Sequence, residues 1–143
     1  MKESQKLAEI LGEFVHQSCE KVAAGSGTGS IFTLRFNDGH SIMIWSTWYL
    51  KRNELLVCDS ESNNEPGGPM IMGLEQLIDK KVESIEVKQT TGHLTMSFED
   101  GYRLEILADA KKIYKDEESV NYTIFLSDVS YSLTAELELS EER

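Results

Sequence analysis

The sequence contains little cysteine and little proline, and it has no long hydrophobic run. Cys19 and Cys58 are the only cysteines, and neither belongs to a CxxC or Cys/His pattern, so no zinc site or disulfide framework is predicted. Nowhere do about eighteen uncharged apolar residues follow one another, and Glu3, Glu9 and Glu13 interrupt the first apolar stretch, so we predict neither a membrane span nor a signal peptide. We therefore expect two reduced core thiols in a cytoplasmic protein that requires no metal and no cofactor.

Basic residues are scarce as well. The chain carries 14 Lys and Arg against 25 Asp and Glu, a formal charge of −11. This charge argues against nucleic acid as a partner, because binding it depends on neutralising phosphates. The acidity could provide a docking face for a basic protein, or it could only keep the chain soluble, and both interpretations stay open.

The N-terminal third begins with apolar residues at helical spacing. They are Leu7, Ile10, Leu11, Phe14, Val15, Cys19 and Val22. This stripe predicts one helix that packs against a sheet, with Ser4 as its N-cap and Gly25 as its stop.

After the glycines the apolar period changes to two. Residues 32–36 and 42–44 alternate on either side of the turn Asn37-Asp38-Gly39, which predicts a β-hairpin. Residues 48–57 predict a second hairpin. The stretch 59–69 contains both prolines and two glycines, and we interpret it as a linker.

The same pattern then starts again. Leu11 matches Leu74, Glu20 matches Glu83 and Thr28-Gly29 matches Thr91-Gly92 at a spacing of 63. From Phe32 onward the spacing is 62, as the matches of Phe36 with Phe98, Asp38-Gly39 with Asp100-Gly101 and Ile44 with Ile106 illustrate. One residue has been gained or lost near Ser30. This order predicts an internal duplication.

The predicted fold is α+β: a tandem duplication of a helix plus antiparallel β-hairpins unit, related by a pseudo-twofold and sharing one core. A single domain of the full 143 residues is the usual size for such a fold. We divide it into a first repeat (1–58), a linker (59–69), a second repeat (70–139) and a frayed tail (140–143). In the second repeat, residues 108–119 predict a solvated charged excursion, and residues 122–126 and 131–139 predict strands.

The stretches STWYLKRNELLVCDSES and LEQLIDKKVESIEVKQTTGHLTMSFEDGYRLEI combine a Trp-x-Leu strand, a leucine helix with a Lys-x-Val exit, and a strand ending in Phe-x-x-Gly. The residues at these positions are Trp48, Leu50, Lys80, Val82, Phe98 and Gly101. In this pattern most of the chain resembles a group of small, duplicated, uncharacterised bacterial proteins. The resemblance implies a fold and brings no activity with it. Small acidic proteins of this kind often accompany toxins as immunity proteins or oppose defence systems.

The glycine run Gly25-Ser26-Gly27-Thr28-Gly29 invites comparison with a phosphate-binding loop. Such a loop lies between a strand and a following helix, whereas here we expect a helix before it and a strand after it. No Gly-Lys-Ser/Thr ending is present. We therefore interpret the run as a bend into the hairpin.

No residue pattern predicts a catalytic centre. His40 and His93 follow turns, where histidines are usually solvated, and His16 is expected on the first helix. The charge run 116–118 lacks the glycine and the ligand spacing of a calcium loop. We therefore predict neither a catalytic nor a metal-binding residue.

The two repeats differ at one face. The outward positions of the second hairpin strand hold Arg103, Glu105 and Leu107. The matching positions of the first copy are Ser41, Met43 and Trp45, and Trp48 and Tyr49 follow at once. This apolar face requires a cover, which is either another element of the chain or a partner protein.

Two functions follow. The first is a non-enzymatic binding protein that inhibits or neutralises a basic partner protein, such as an immunity protein or antitoxin; a homodimer is compatible with this reading. Its predicted contact residues are Met43, Trp45, Trp48, Tyr49, Asp59 and Glu61. The alternative is a small-molecule-binding module or an anti-defence protein with a ligand cleft between the repeats. That cleft would be lined by Gly27, Thr28, Gly29 and His93.

Overall fold

A computed structural model describes residues 3–25, 27–115 and 118–143. Ser26 of the glycine run and Asp116 and Glu117 of the charge run lie outside the described residues. The helices are α1 (Ser4–Leu11), α2 (Pro69–Glu75) and α3 (Ala110–Tyr114), with 3₁₀ turns at Gly12–Phe14 and Glu99–Gly101. The strands are β1 (Cys19–Ala23), β2 (Phe32–Phe36), β3 (Ser41–Ile44), β4 (Trp48–Arg52), β5 (Leu55–Asp59), β6 (Val82–Val87), β7 (Leu94–Phe98), β8 (Tyr102–Ile106), β9 (Val120–Phe125), β10 (Ser130–Thr134) and β11 (Leu139–Glu142). The fold mixes helices with two antiparallel sheets, so the predicted α+β class is confirmed at this level.

The strands form a first sheet in the order β1-β2-β3-β9-β10-β11 and a second sheet in the order β5-β4-β8-β7-β6. The predicted hairpins β2–β3 and β4–β5 are both present, but they lie in different sheets. β4 pairs with β8, placing Trp48 opposite Ile106, and β3 pairs with β9, placing Ile44 opposite Tyr122. Each sheet is therefore built from strands that lie far apart in sequence.

The predicted first helix is too long. It ends at Leu11, a 3₁₀ turn follows, and Cys19–Ala23 forms the edge strand β1 instead of the last helical turns. Gly12 weakens the helix at this point, and pairing with β2 satisfies the backbone of residues 19–23. The second helix is likewise short, since α2 ends at Glu75 and Val82 begins β6.

The two sheets are joined where β1 and β6 begin. Ser18 and Lys81 form an isolated bridge between these segments. Both segments start from a residue with positive φ, His16 at 73° and Asp79 at 71°. The hydrogen bonds that join them are His16 N to Val82 O (2.8 Å), Asp79 N to Cys19 O (2.7 Å), Cys19 N to Lys80 O (2.9 Å) and Val82 N to Gln17 O (3.0 Å). The sheets thus share a hydrogen-bonded corner.

One core lies between the inner faces of the sheets. Phe32 of the first sheet meets Trp48 of the second edge to face, with ring centroids 4.7 Å apart. The helices add to this core, α1 against β6 through Leu7, Ile10 and Leu11, and α2 against β5 and β1. Burial of these apolar side chains is the main stabilising term of the fold.

The end of the chain differs from the prediction in two ways. The expected strand 131–139 is two strands, β10 and β11, because the chain turns where Leu137 adopts φ 62°. Thr134 N donates to Glu138 O (2.9 Å), and this bond closes the turn. The tail 140–143, expected to be frayed, supplies most of β11, which pairs with β10 as an edge strand.

Part of the charged excursion 108–119 forms regular structure, which was not predicted. Its residues 110–114 form α3, in which Ala110 is fully buried and Tyr114 is partly covered. Ala110 N donates to the side-chain oxygen of Asn121 (2.9 Å), which anchors α3 over the end of the first sheet.

Candidate functional site

Trp48 is a core residue, so its predicted role in partner binding is wrong. Its side chain is 0% exposed, and its Nε1 donates to Ser30 O at 2.8 Å. The alternation that places Met43 and Trp45 on an outer face continues through residues 45–47, although the chain crosses there from the first sheet to the second, and Ser46 is 1% exposed. Trp48 therefore points inward in the same alternation as Ile42 and Ile44, a position that the sequence pattern itself indicates.

The remaining predicted contact residues lie on different sheets. Met43 lies on the outer face of the first sheet, between Thr33 and Thr123. Tyr49 lies on the outer face of the second sheet, opposite Glu105 and Asp59. Because the sheets pack through their inner faces, these outer faces point in opposite directions, and no single surface contains the predicted set.

Asp59 and Glu61 belong to the end of β5 and the loop that follows it. Asp59 is half-buried, and its Oδ1 accepts from Glu61 N (2.9 Å) and Ser62 Oγ (3.3 Å). Glu61 is exposed. The two acidic residues therefore lie at the same end of the second sheet as Tyr49, and Asp59 also shapes the loop.

The outer face of the first sheet has an uncharged part, which we call the neutral face. Its residues are Thr33, Met43, Trp45, Thr123 and Ser132, with Ala23 at the edge. The adjacent row of the same outer face carries Lys21 opposite Arg35. The hydroxyls of Thr123 and Ser132 lie 2.9 Å apart and bond to each other. The neutral face thus offers apolar and hydroxyl groups, and it borders the basic side chains of Lys21 and Arg35.

α3 covers one end of the neutral face. The Tyr114 hydroxyl donates to the backbone oxygen of Trp45, and both residues line a cavity of about 510 Å³ together with Ile31 and Thr123. Trp45 Nε1 is buried and has no acceptor among the described residues. A smaller hollow of about 310 Å³ lies on the other side of Ile31, against Met43. The expected internal cover of Trp45 therefore exists, while Met43 remains half-exposed beside it.

The outer face of the second sheet carries ion pairs, and we call it the charged face. Lys51 Nζ lies 3.2 Å from Glu105 Oε1, and Arg103 contacts both Glu105 (3.1 Å) and Glu54 (2.7 Å). Hydrogen bonding to Arg103 lowers the pKa of Glu54. The charges of this face are thus largely matched within the sheet.

The glycine run is a connection between β1 and β2. The expected helix before it is replaced by a strand, and the order strand, loop, strand still differs from that of a phosphate-binding loop. Thr28 Oγ1 donates to Gly25 O (2.9 Å), and Asn64 Nδ2 donates to the backbone oxygens of Gly25 (3.2 Å) and Gly29 (2.9 Å). Asn64 of the linker therefore closes this loop, a contact that no local sequence pattern predicts.

The predicted ligand cleft is not assembled. Gly27, Thr28 and Gly29 are exposed, and Thr28 lines the hollow beside Met43. His93 lines a different cavity of about 650 Å³, with Glu86 and Glu105 of the second sheet. The structure does not bring these four residues to one site.

The reactive side chains are placed unfavourably for chemistry. Burial raises the pKa of both thiols, Cys19 and Cys58, to about 12, so they stay protonated. His16 is exposed beyond the helix on which it was expected. His40 was expected to be solvated, but it is half-buried against Phe14; its Nδ1 lies 3.0 Å from Asp38 Oδ2 without forming a hydrogen bond. Within the described ranges, no group of three His, Cys, Asp or Glu residues is placed to hold a metal.

No protein-family model, curated protein or solved structure matches this chain. The resemblance to duplicated bacterial proteins stays a prediction. None of the helices in the described part of the chain is long and apolar enough to cross a membrane.

Proposed function

We propose that this chain is a non-enzymatic binding protein that neutralises a basic partner protein, and that the neutral face is its contact surface. The observation that carries the proposal is a difference between matched positions of the two sheets. Ala23, Thr33 and Met43 lie side by side on β1, β2 and β3. The corresponding row on β6, β7 and β8 is Glu86, Thr95 and Glu105.

The comparison rests on a tandem duplication, which we also propose. Two hydrogen bonds support it, because a shift of 63 residues turns the donor and acceptor of one bond into the donor and acceptor of the other. Cys19 N donates to Lys80 O, and the matching Val82 N donates to Gln17 O. Both bonds lie at the shared corner, as a pseudo-twofold axis through Ser18 and Lys81 requires.

Side-chain contacts support the same duplication. Asn37 Oδ1 accepts from Ser18 N (3.1 Å), and at the matching place Glu99 Oε1 accepts from Lys81 N (2.7 Å). The strand orders 1-2-3-9-10 and 6-7-8-4-5 also correspond, if each repeat contributes its second hairpin to the other repeat's sheet. We infer that the two outer faces are descended from one ancestral face and have diverged in chemistry.

The divergence favours binding by the neutral face. A solvent-facing strand normally alternates apolar and charged residues, as β8 does with Leu104 and Glu105. Met43 replaces that charge with a flexible apolar side chain, which suits an adaptable contact surface. Trp45 beside it supplies the aromatic anchor that commonly dominates binding energy.

The charge of the chain indicates the partner's chemistry. Glu118 lines the cavity beside Trp45, and Glu142 stands opposite Ser130 at the edge of the same sheet. With a net charge of −11, the protein attracts a basic partner and repels acidic ones. Neutralisation would then occur by occlusion: the net negative charge of the chain accelerates encounter, and the Met43 and Trp45 contacts slow dissociation.

The test compares two variants, each of which introduces a single negative charge on one of the two outer faces. Met43→Glu reproduces the residue found at the matching position of the second sheet, and Tyr49→Glu is the control on the charged face. We expect the wild type and Tyr49→Glu each to retain a basic protein from a lysate of the source organism. Both should also inhibit the activity of that basic protein after it has been isolated. Met43→Glu should weaken the measured Kd at least tenfold while unfolding at an unchanged denaturant midpoint.

Three results would contradict this proposal. They are the absence of a retained basic protein, retention without inhibition, and equal losses of affinity in Met43→Glu and Tyr49→Glu.

Added salt should slow association with the captured protein, because screening reduces electrostatic steering.

The alternative function, a small-molecule-binding module or anti-defence protein, also has a specific observation in its favour. The unpaired Trp45 Nε1 lies beside the cavity of about 510 Å³, a volume within the range of ligand pockets. Native mass spectrometry of the protein purified from its source would test it. A bound small molecule that Trp45→Phe releases, without any protein partner, would favour this alternative over neutralisation.

A further inference from the structure

Two basic side chains stand side by side on the outer face of the first sheet. Lys21 on β1 lies directly opposite Arg35 on β2, and both residues are exposed. We call them the basic pair. Like charges at directly opposite positions of neighbouring strands repel each other and weaken the pairing of the strands. The basic pair is therefore unfavourable in the isolated chain unless an anionic group lies beside it.

No carboxylate among the described residues neutralises the basic pair. Other basic side chains of the chain do form ion pairs with Asp or Glu. They are Lys6, Lys51, Lys80, Arg103, Lys111 and Arg143. In a chain with 25 acidic residues, such partners are abundant, yet none lies within ion-pair distance of Lys21 or Arg35 in the described ranges. The two charges are thus available to an acidic group from outside the chain.

Under the proposed duplication, the matching positions of the second sheet carry no charge. Lys21 matches Ser84 and Arg35 matches Ser97, and the two serines lie opposite each other on β6 and β7. In both sheets a register shift of the edge strand comes just before the pair. The same backbone arrangement therefore exists without basic residues, and the two charges are particular to the surface of the first sheet.

The basic pair borders the surface that we propose for partner binding. Two residues further along the same strands are Ala23 and Thr33, which belong to the neutral face. Residues two apart on a strand are separated by only about 7 Å. On the other side of Arg35, Ser41 is followed across the sheet by Phe125, whose side chain is 39% exposed. A protein that covers the neutral face therefore also reaches the basic pair.

We propose that the basic pair receives a carboxylate of the partner protein, so that the partner is basic overall but presents an acidic side chain at this point. The inference rests on the proposed neutralising function and adds the chemistry of one contact. A wholly basic contact surface would be repelled by Lys21 and Arg35, whereas one carboxylate beside them neutralises both charges and accepts their hydrogen bonds. This contact also fixes the orientation of the partner on the first sheet.

The experiment measures the Kd of the captured basic protein for a double charge reversal, Lys21→Glu with Arg35→Glu. Net charge alone predicts tighter binding, because each reversal makes the acidic chain more negative. The proposed contact predicts the opposite sign, a Kd at least tenfold weaker than that of the wild type. The control is Lys81→Glu with Lys88→Glu, which changes the charge equally at exposed lysines on either side of β6. This control should bind at least as tightly as the wild type.

A second variant separates loss of the contact from added repulsion between the strands. Lys21→Ser with Arg35→Ser introduces the residues found at the matching positions of the second sheet. It should also weaken the Kd, and it should retain the wild-type circular dichroism spectrum because both positions are exposed.

The outcomes distinguish this inference from the proposed function. If Met43→Glu loses affinity while the double charge reversal binds as tightly as the wild type or more tightly, the carboxylate contact is wrong and the neutralising function stands. An equal loss in the control at Lys81 and Lys88 would also overturn the contact. The absence of a retained basic protein would overturn both proposals.

Inorganic phosphate provides a measurement that needs no partner. It is titrated into the free chain and followed by isothermal calorimetry. We expect no saturable binding, because two exposed side chains without a surrounding pocket hold a free anion weakly in an acidic protein. Saturable binding of phosphate that the double charge reversal abolishes would assign the basic pair to a free anion and would overturn the carboxylate contact.

Discussion

At the scale of single residues, two buried aromatic side chains hold the loops that precede the hairpins. Trp48 donates to Ser30 O, and Tyr122 donates to Gly92 O at 2.9 Å. Both residues are fully buried, and both acceptors precede the strand that begins a hairpin. Each bond satisfies a donor that would otherwise be buried without a partner.

Removal of the Tyr122 hydroxyl isolates the contribution of one such bond to the free energy of unfolding. We expect Tyr122→Phe to lower the free energy of unfolding by about 1–2 kcal/mol, because Gly92 O loses its donor while the ring remains. Urea unfolding followed by circular dichroism measures the change. Tyr49→Phe, on an outer face, serves as the control and should unfold at the wild-type midpoint; equal losses in both variants would contradict this account.

The buried thiols make a prediction about pH. The pKa of each thiol is raised from 9.0 to about 12 in the folded chain, because burial disfavours the thiolate. Above pH 9 the unfolded chain therefore loses protons that the folded chain keeps, and the free energy of unfolding should fall as the pH rises toward 12.

Comparison of the wild type with Cys58→Ala isolates the contribution of the Cys58 thiol to the pH dependence of stability, because the other titrating groups are common to both proteins. The wild type should lose more stability than this variant between neutral pH and pH 10, as measured by urea unfolding. A thiol reagent should label both cysteines only after unfolding. Rapid labelling of the native protein at neutral pH would show that the thiols are accessible and would contradict the prediction.

At the scale of elements, two glycines have opposite roles in the helices. A Cβ at Gly73 of α2 would lie 2.5 Å from Cys58 Sγ and 3.2 Å from Val57 Cγ1, so the close packing of α2 on β5 requires glycine. Gly12, just after α1, has helical backbone angles, and a Cβ there would meet nothing within 4 Å.

These surroundings predict that alanine at the two positions changes the stability of the protein in opposite directions. Gly73→Ala should destabilise the protein by about 1–3 kcal/mol through steric crowding, despite the better helix propensity of alanine. Gly12→Ala should stabilise it by about 0.5–1 kcal/mol, because the unfolded chain loses freedom and the native angles suit alanine. Thermal and urea unfolding of the two variants measure both effects. Stabilisation by Gly73→Ala would mean that α2 does not approach β5 so closely.

At the scale of the whole molecule, each sheet combines three neighbouring strands of one half of the chain with strands of the other half. β3 depends on β9 as its neighbour, and β4 depends on β8. The long loop 60–68 is the only direct connection in sequence between the halves.

This topology predicts fragment complementation. The fragments 1–65 and 66–143 should each lack a cooperative unfolding transition, since each lacks the strands that complete its sheets. Mixed together, they should recover the circular dichroism spectrum and a cooperative transition of the intact chain. A fragment 1–65 that folds cooperatively as a monomer would contradict the exchange of hairpins between sheets.

Local patterns in the sequence determined the hairpins β2–β3 and β4–β5. Alternation over residues 32–36 and 42–44, with the turn at Asn37-Asp38-Gly39, placed β2 and β3 correctly, and the buried positions followed from the same alternation. These features are predictable because strand direction and turn geometry depend on neighbouring residues.

Tertiary structure alone decided the end of α1 and the sheet to which each hairpin belongs, whereas the burial of Trp48 follows from the alternation that begins at Ile42. A short segment such as 19–23, in which Glu20 and Lys21 interrupt the apolar residues, fits a helix and a strand equally well, and only the bonds to β2 select the strand. The crossing at residues 45–47 moves the chain from one sheet to the other, and no local pattern marks it. The neutral face and the exposed edge at Leu55 and Leu56 likewise depend on partners distant in sequence, because a side chain is covered or exposed only by what the whole fold places beside it.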